Sequence, residues 1–163
     1  RLTVAAARAA AAAALGQGKR GNENILCGAA MELPGGRIVT GVNSALLHAA
    51  SSLALNAAKT LAGIPDHLHL LAPNIIQSIA KLKQEVLGQR TVSLDLAETL
   101  IALSIASTTN PTAELAMSQL TRFRDCDLHM THMPTPGDEI GLRRLGVNVT
   151  CDPNFGVGTL YVV

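Results

Sequence analysis

The chain has 163 residues, 48% of them hydrophobic, 15% charged and 2% aromatic, with a formal net charge of +1. That length can bury a core without disulfides or a structural metal, and so apolar a composition excludes a disordered chain. The near-zero charge excludes the global positive field of nucleic-acid binders, and three rings, Phe123, Phe155 and Tyr161, are too few for base-stacking platforms.

In chain order, residues 1–15 are almost pure helix formers with little large apolar surface, so this helix is expected either to pack on a missing upstream domain or to fray. Residues 16–24, rich in Gly, Lys, Arg and Asn, read as a linker. The expected organisation is a helical remnant and linker over 1–23, then an α/β domain over 24–163. Residues 25–33 and 37–42 read as strands, joined by the turn Pro34-Gly35-Gly36 into a hairpin. A helix is predicted over 46–61, stopped by Gly63-Ile64-Pro65. Residues 67–71 read as a short strand. In 74–87, Ile75, Ile76, Ile79, Leu82 and Val86 share one helical face, and Gly88 ends it. Asp95 and Glu98 are spaced as a capping box for a helix over 95–104. Asn110-Pro111 starts another helix that runs to about Phe123. Residues 126–131 read as a strand, 138–145 as a short helix ending at Gly146, and 147–150 as a last strand.

Strand-helix-strand units imply parallel pairing, and the hairpin adds an antiparallel edge. The fold class is α/β: a mixed sheet sandwiched by helices, with a helical insertion. The three cysteines, Cys27, Cys126 and Cys151, form no C-x-x-C pair, which points to reduced thiols and a cytoplasmic location. No apolar run reaches the roughly twenty residues that span a bilayer, so no membrane partner is expected. Arg8 interrupts the Ala-rich opening, which does not read as a signal peptide. The chain opens on Arg1 rather than Met, which points to a fragment with a domain missing upstream.

The segment Thr131-His132-Met133-Pro134-Thr135-Pro136-Gly137-Asp138-Glu139 follows a predicted strand and opens a helix. Ligands of open α/β sheets bind beyond the carboxyl ends of parallel strands, and a helix N-terminus there suits an anion. The two prolines stiffen the loop, Gly137 permits close backbone approach, and Thr131, His132 and Thr135 add polar groups. Capping of the helix by Asp138 and Glu139 explains the same residues structurally. Asn43, Ser44 and His48 form a second group at the end of the hairpin. There Ser44 is expected to cap the next helix, and no acidic residue adjoins His48. His67, His69, His129 and His132 would converge if their strands were neighbours, but no spacing among them is diagnostic of a metal, and no metal ligand set is assigned. The hydroxyl-rich Ser107-Thr108-Thr109-Asn110-Pro111 reads as a cap or a phosphate loop, and the cysteines as inert core thiols.

Gly28-Ala29-Ala30, the segment Gly36 through Asn43, and His48-Ala49-Ala50 follow the order of the cytidine deaminase opening, so the topology resembles that fold. The zinc chemistry does not follow. The proton-shuttle position holds Ala50, and Pro73 is followed by Asn74, Ile75, Ile76 and Gln77 with no cysteine. A closer resemblance covers nearly the whole of 24–163. Ala29-Ala30-Met31-Glu32-Leu33, His48-Ala49-Ala50-Ser51-Ser52, Gly63-Ile64-Pro65-Asp66, Ser107 to Pro111 and the stretch 131–148 resemble the bacterial family called domain of unknown function 1846. The resemblance implies the C-terminal portion of a longer protein, whose N-terminal part carries a phosphate-loop-like stretch. It brings no reaction, no catalytic residue and no cofactor.

The expected function is a small-molecule site, for a nucleotide or other phosphorylated ligand, completed by the missing N-terminal domain. The expected ligand-binding residues are Asn43, Ser44, His48, Thr131, His132, Thr135, Gly137, Asp138 and Glu139. A non-enzymatic scaffold forming a homo-oligomer and a metal-dependent hydrolase built on the histidines are the alternatives. If the strands ending at Val42 and Thr131 run the same way, His48, Asn43, His132, Thr135 and Asp138 meet at one edge of the sheet.

Overall fold

The computed structural model describes residues 1–156; the expected end of the domain at 163, with Tyr161, lies outside the described residues. Helix α1 (Leu2–Gly16) precedes a hairpin of β1 (Gly28–Glu32) and β2 (Ile38–Val42). Then come α2 (Ala49–Ala62), α3 (Pro73–Lys81), α4 (Leu96–Ser107) and α5 (Pro111–Met117), the helical insertion. Strand β3 (Asp127–Met130), α6 (Pro136–Leu145) and β4 (Asn148–Cys151) complete the described chain. The sheet order is β2-β1-β3-β4. β1 is antiparallel to both its neighbours, and β3 and β4 are parallel. Strands β2, β3 and β4 therefore all run the same way, and their carboxyl ends share one edge.

The two faces of the sheet are covered by different helices. Gly28 pairs with Val42, and Ala29 with Gly41, so Gly28 and Gly41 look to opposite faces. A methyl group on Gly28 would strike the Ala7 carbonyl of α1, and one on Gly41 would strike the Leu53 backbone of α2. The helix backbones lie this close because both strands offer hydrogen in place of a side chain. This corrects the expectation that α1 packs on an upstream domain or frays. Its small face, with Thr3, Ala7 and Ala14 buried, packs on the sheet of this same chain. A helix of alanines has little apolar area per residue, and it recovers contact by close approach.

The core lies between the other face of the sheet and the helical layer. It is aliphatic, with Met31, Leu53, Leu96, Leu103 and the buried ring of Phe123 at its centre. Asn110 caps α5, and Asp95 and Glu98 form the expected capping box of α4. Four local readings change. The strand expected over 67–71 does not form. This stretch is a turn in which His67, Leu68 and His69 are exposed and the adjacent Leu70 and Leu71 are both buried in the core, a pattern no strand gives. The helix expected over 74–87 widens into a π-turn at Leu82–Val86, where Lys83 points inward and donates to the Ser93 carbonyl and to Glu98, both at 2.7 Å. The helix from Pro111 stops at Met117, and a short 3-10 turn, Leu120–Phe123, carries Phe123 into the core. α6 begins at Pro136, two positions before the expected Asp138. Among the described residues no helix is long and apolar enough to cross a membrane.

Candidate functional site

Three helices start at the carboxyl edge of the sheet. The chain leaving β2 passes through Asn43 and Ser44 and enters α2 at His48, its N-cap. The segment before α4 lies beside it. His48 N–H donates to the Leu94 carbonyl at 3.0 Å, and Leu94 N–H donates to the Leu46 carbonyl at 2.9 Å. The chain leaving β3 reaches α6 at Thr135, whose hydroxyl accepts from Asp138 N–H. Gly137 brings α6 against Asp95, the N-cap of α4; a Cβ there would collide with the Asp95 carboxylate.

Asp138 ties these three starts together. One carboxylate oxygen accepts from Leu96 N–H in the first turn of α4, and the other lies 2.9 Å from His48 Nδ1. The residue is 2% exposed. A buried carboxylate is tolerated there because both oxygens are hydrogen-bonded and three helix N-termini supply positive potential. Burial pulls the His48 imidazole down, but the hydrogen bond and charge of Asp138, with Asp95 behind it, outweigh that and hold it above its ordinary value. Asp95 itself is pushed up by burial. Nδ1 of His48 is committed to Asp138, and no described residue hydrogen-bonds Nε2.

His48, Asp138, Thr135, His132 and Asn43 line one cavity of about 40 Å³, with Ser44, Cys27 and Met133 also on its wall. His132 reaches it from the end of β3, its Nδ1 2.8 Å from Thr131 Oγ1. Thr131 Oγ1 also accepts from Gly28 N–H, so Thr131 holds the strand end and orients His132 without lining the cavity. Burial pushes His132 below its ordinary value, against the weaker pull of Asp152. The two histidines of one small cavity are thus shifted in opposite directions. Cys27, behind them, is pushed up to about 12 by burial and then by the charge of Asp138.

Other expected site residues have structural duties. Both side-chain ends of Asn43 are used: Oδ1 accepts from Cys27 N–H at 2.8 Å, and Nδ2 donates to the Ile25 carbonyl at 2.9 Å. Ser44 does not cap α2. Its hydroxyl accepts from Leu46 and Leu47 N–H in the turn before the helix, four positions too early to reach the α2 start. Gly137 serves the contact with Asp95, and Glu139 is exposed and off the cavity wall. Ser107 and Thr108 return their hydroxyls to carbonyls of α4. His129 is buried, bonded to Thr150 at 2.7 Å and Asp152 at 3.2 Å. Among the described residues no three His, Cys, Asp or Glu side chains are grouped to hold a metal ion. Sequence reasoning missed the acidic partner of His48, because Asp138 lies 90 positions away. It also saw Asp95 only as a cap; nothing local to Asp95 announces that Gly137 packs on it.

The family described as "Domain of unknown function DUF1846, C-terminal" matches residues 1–161. The chain is similar to the UPF0371 protein of Clostridium tetani, 41% identical over 144 residues, which is 88% of this chain and 29% of that protein. It is 44% identical to the UPF0371 protein of Clostridioides difficile over 132 residues, 81% of this chain and 26% of that one. It is 42% identical to the UPF0371 protein of Fusobacterium nucleatum over 143 residues, 88% and 28% of the two chains. The chain thus spans less than a third of the length of these relatives. These matches carry the family resemblance and not the deaminase one. The chain belongs to the DUF1846 family, to whose C-terminal domain it corresponds.

Proposed function

We propose that the cavity at the carboxyl edge receives the phosphate of a nucleotide or another phosphorylated small molecule, and that a further domain completes the site. One observation carries this reading: His48 is anchored through Nδ1 on the buried Asp138, and among the described residues none hydrogen-bonds its Nε2, at the start of α2, whose N-cap makes no side-chain cap bond. An imidazole held toward its cationic form, beside helix N–H groups that no side chain caps, suits an oxyanion. His132, shifted toward the neutral form, supplies a second donor or acceptor on the same wall. A space of about 40 Å³ admits one such group and not a whole nucleotide. The rest of a ligand would then lie against chain outside this domain, in keeping with relatives more than three times as long. Three unpaired thiols are in keeping with a cytoplasmic setting.

Calorimetric titration with ATP, GTP and pyrophosphate tests this, on the 163-residue chain and on the full-length Clostridium tetani relative. The expected result is saturable binding by the full-length relative, weakened at least tenfold when the histidine matching His48 is changed to Gln. Folded full-length protein that binds none of the three overturns the reading.

A further inference from the structure

A second cavity, of about 370 Å³, shares Asn43, Ser44 and Leu47 with the edge cavity and otherwise has walls of its own, from α2, α3, the turn before α3, the end of β2 and Lys19 after α1. Its size is that of a small-molecule site. Its charged and titratable lining residues are Lys19, Lys59 and His69, and no Asp or Glu lines it. Lys19 and His69 are exposed at its rim. Lys59, in the last turn of α2, is 8% exposed.

The environment of Lys59 is unusual beside that of Lys83, the other buried lysine. Lys83 is 5% exposed and is satisfied by the Glu98 carboxylate and the Ser93 carbonyl. Lys59 donates one hydrogen bond, to the Asp66 carbonyl at 3.0 Å, and among the described residues no carboxylate lies within ion-pair distance of it or of Lys19. An ammonium has three donors, so two are left without a partner among the described residues, on a side chain that lines the cavity. A buried cation without a counter-charge is costly, and it is retained where something else supplies the anion.

We infer that the second cavity binds an oxyanion-bearing small molecule, a phosphate or a carboxylate, with Lys59 as the buried counter-charge and Lys19 and His69 closing on it from the rim. The Ser52 hydroxyl and the apolar Leu55 and Ile76 line the same space and would hold the uncharged part. This inference stands independently of the edge cavity, since none of Lys19, Lys59 and His69 belongs to that site.

The test is a ¹H–¹⁵N NMR titration of the 163-residue chain with inorganic phosphate and, separately, with citrate, at fixed ionic strength. The expected result is saturable shifts of the Asn56, Lys59 and His69 amides with at least one probe, lost in Lys59→Met and kept in Lys59→Arg. Saturation by phosphate alone assigns a phosphate ligand, and saturation by citrate alone a carboxylate. The exposed double variant Lys19→Gln/His69→Gln, which leaves the core untouched, is expected to weaken saturation at least threefold. His48→Gln should leave these shifts in place, so failure here is separable from failure at the edge cavity. Shifts that never saturate, or that persist in Lys59→Met, overturn the inference.

Discussion

Among the described residues the protein holds two histidine-carboxylate pairs, and they are inverted copies of one another. In His48–Asp138 the carboxylate side chain is 3% exposed and the imidazole 19%; in His129–Asp152 the imidazole is 4% exposed and the carboxylate 16%. His129 has both nitrogens engaged, by Thr150 and Asp152, and Arg8 closes on Asp152 with two hydrogen bonds. That pair is saturated; it ties α1 to the carboxyl end of the sheet and offers nothing to a ligand. His48 has one nitrogen engaged and one facing a cavity wall that it shares with His132. The chemistry of the two pairs is the same. Which member is buried, and whether the second nitrogen has a partner, separates a strut from a candidate site.

The largest effect should come from the buried carboxylate. Asp138→Ala leaves Leu96 N–H without its acceptor and His48 without its anion, and breaking a buried pair in this way costs about 3–5 kcal/mol. Asp152→Ala, at the accessible end of the other pair, should cost about 1 kcal/mol. Urea unfolding of the two variants measures both, and equal costs would break the comparison.

The histidines should behave the other way round. His129→Gln is expected to lower stability by about 1–3 kcal/mol, since it disturbs a buried and fully bonded ring, and to leave pyrophosphate binding within about twofold. His48→Gln should cost less stability and weaken that binding at least tenfold. Calorimetry and urea melts on the same samples separate the two losses.

The pH dependence sharpens the contrast. The folded-state value of His48 is raised above its ordinary 6.5, so its contribution is fully present below that value and is lost as pH rises through the raised one. Asp152 is held below its ordinary 3.8 by Arg8, so its contribution is present above 3.8 and is lost as pH falls through the lowered value. Unfolding midpoints followed from pH 3 to pH 9 should therefore show His48→Gln flattening the alkaline arm and Asp152→Asn the acid arm, each sparing the other.

The smallest effect concerns the thiols. Cys27, pushed up to about 12 behind the edge cavity, should resist iodoacetamide at pH 8.5, while the exposed Cys151 accepts it. Mass spectrometry of the native protein should show one fast adduct, and rapid labelling of Cys27 would mean that the wall beside Asp138 opens.

Local chemistry made much of this molecule legible. The hairpin needs only Pro34-Gly35-Gly36 between two apolar runs, and the capping box of α4 needs only Asp95 and Glu98 at the right spacing. The mixed sheet followed from element order, since a helical crossover forces β3 and β4 to be parallel, and the convergence of Asn43, His48, His132, Thr135 and Asp138 at one edge followed from strand direction. What local chemistry left open depends on distance along the chain. The sequence of 67–71 alternates up to Leu70 as a strand would, but its fold exposes Leu68 and buries the adjacent Leu70 and Leu71, which a turn allows and a strand does not. The Ala-rich opening shows no partner until Gly28 is placed beneath Ala7. Asp138 becomes the anion of His48, and Lys59 is left without one among the described residues, only when elements far apart in sequence meet and water is excluded between them. Turns and caps are decided by neighbours in the chain, whereas a buried charge is decided by whatever the fold brings to it, because its energy depends on every group within a few ångströms rather than on its place in the sequence.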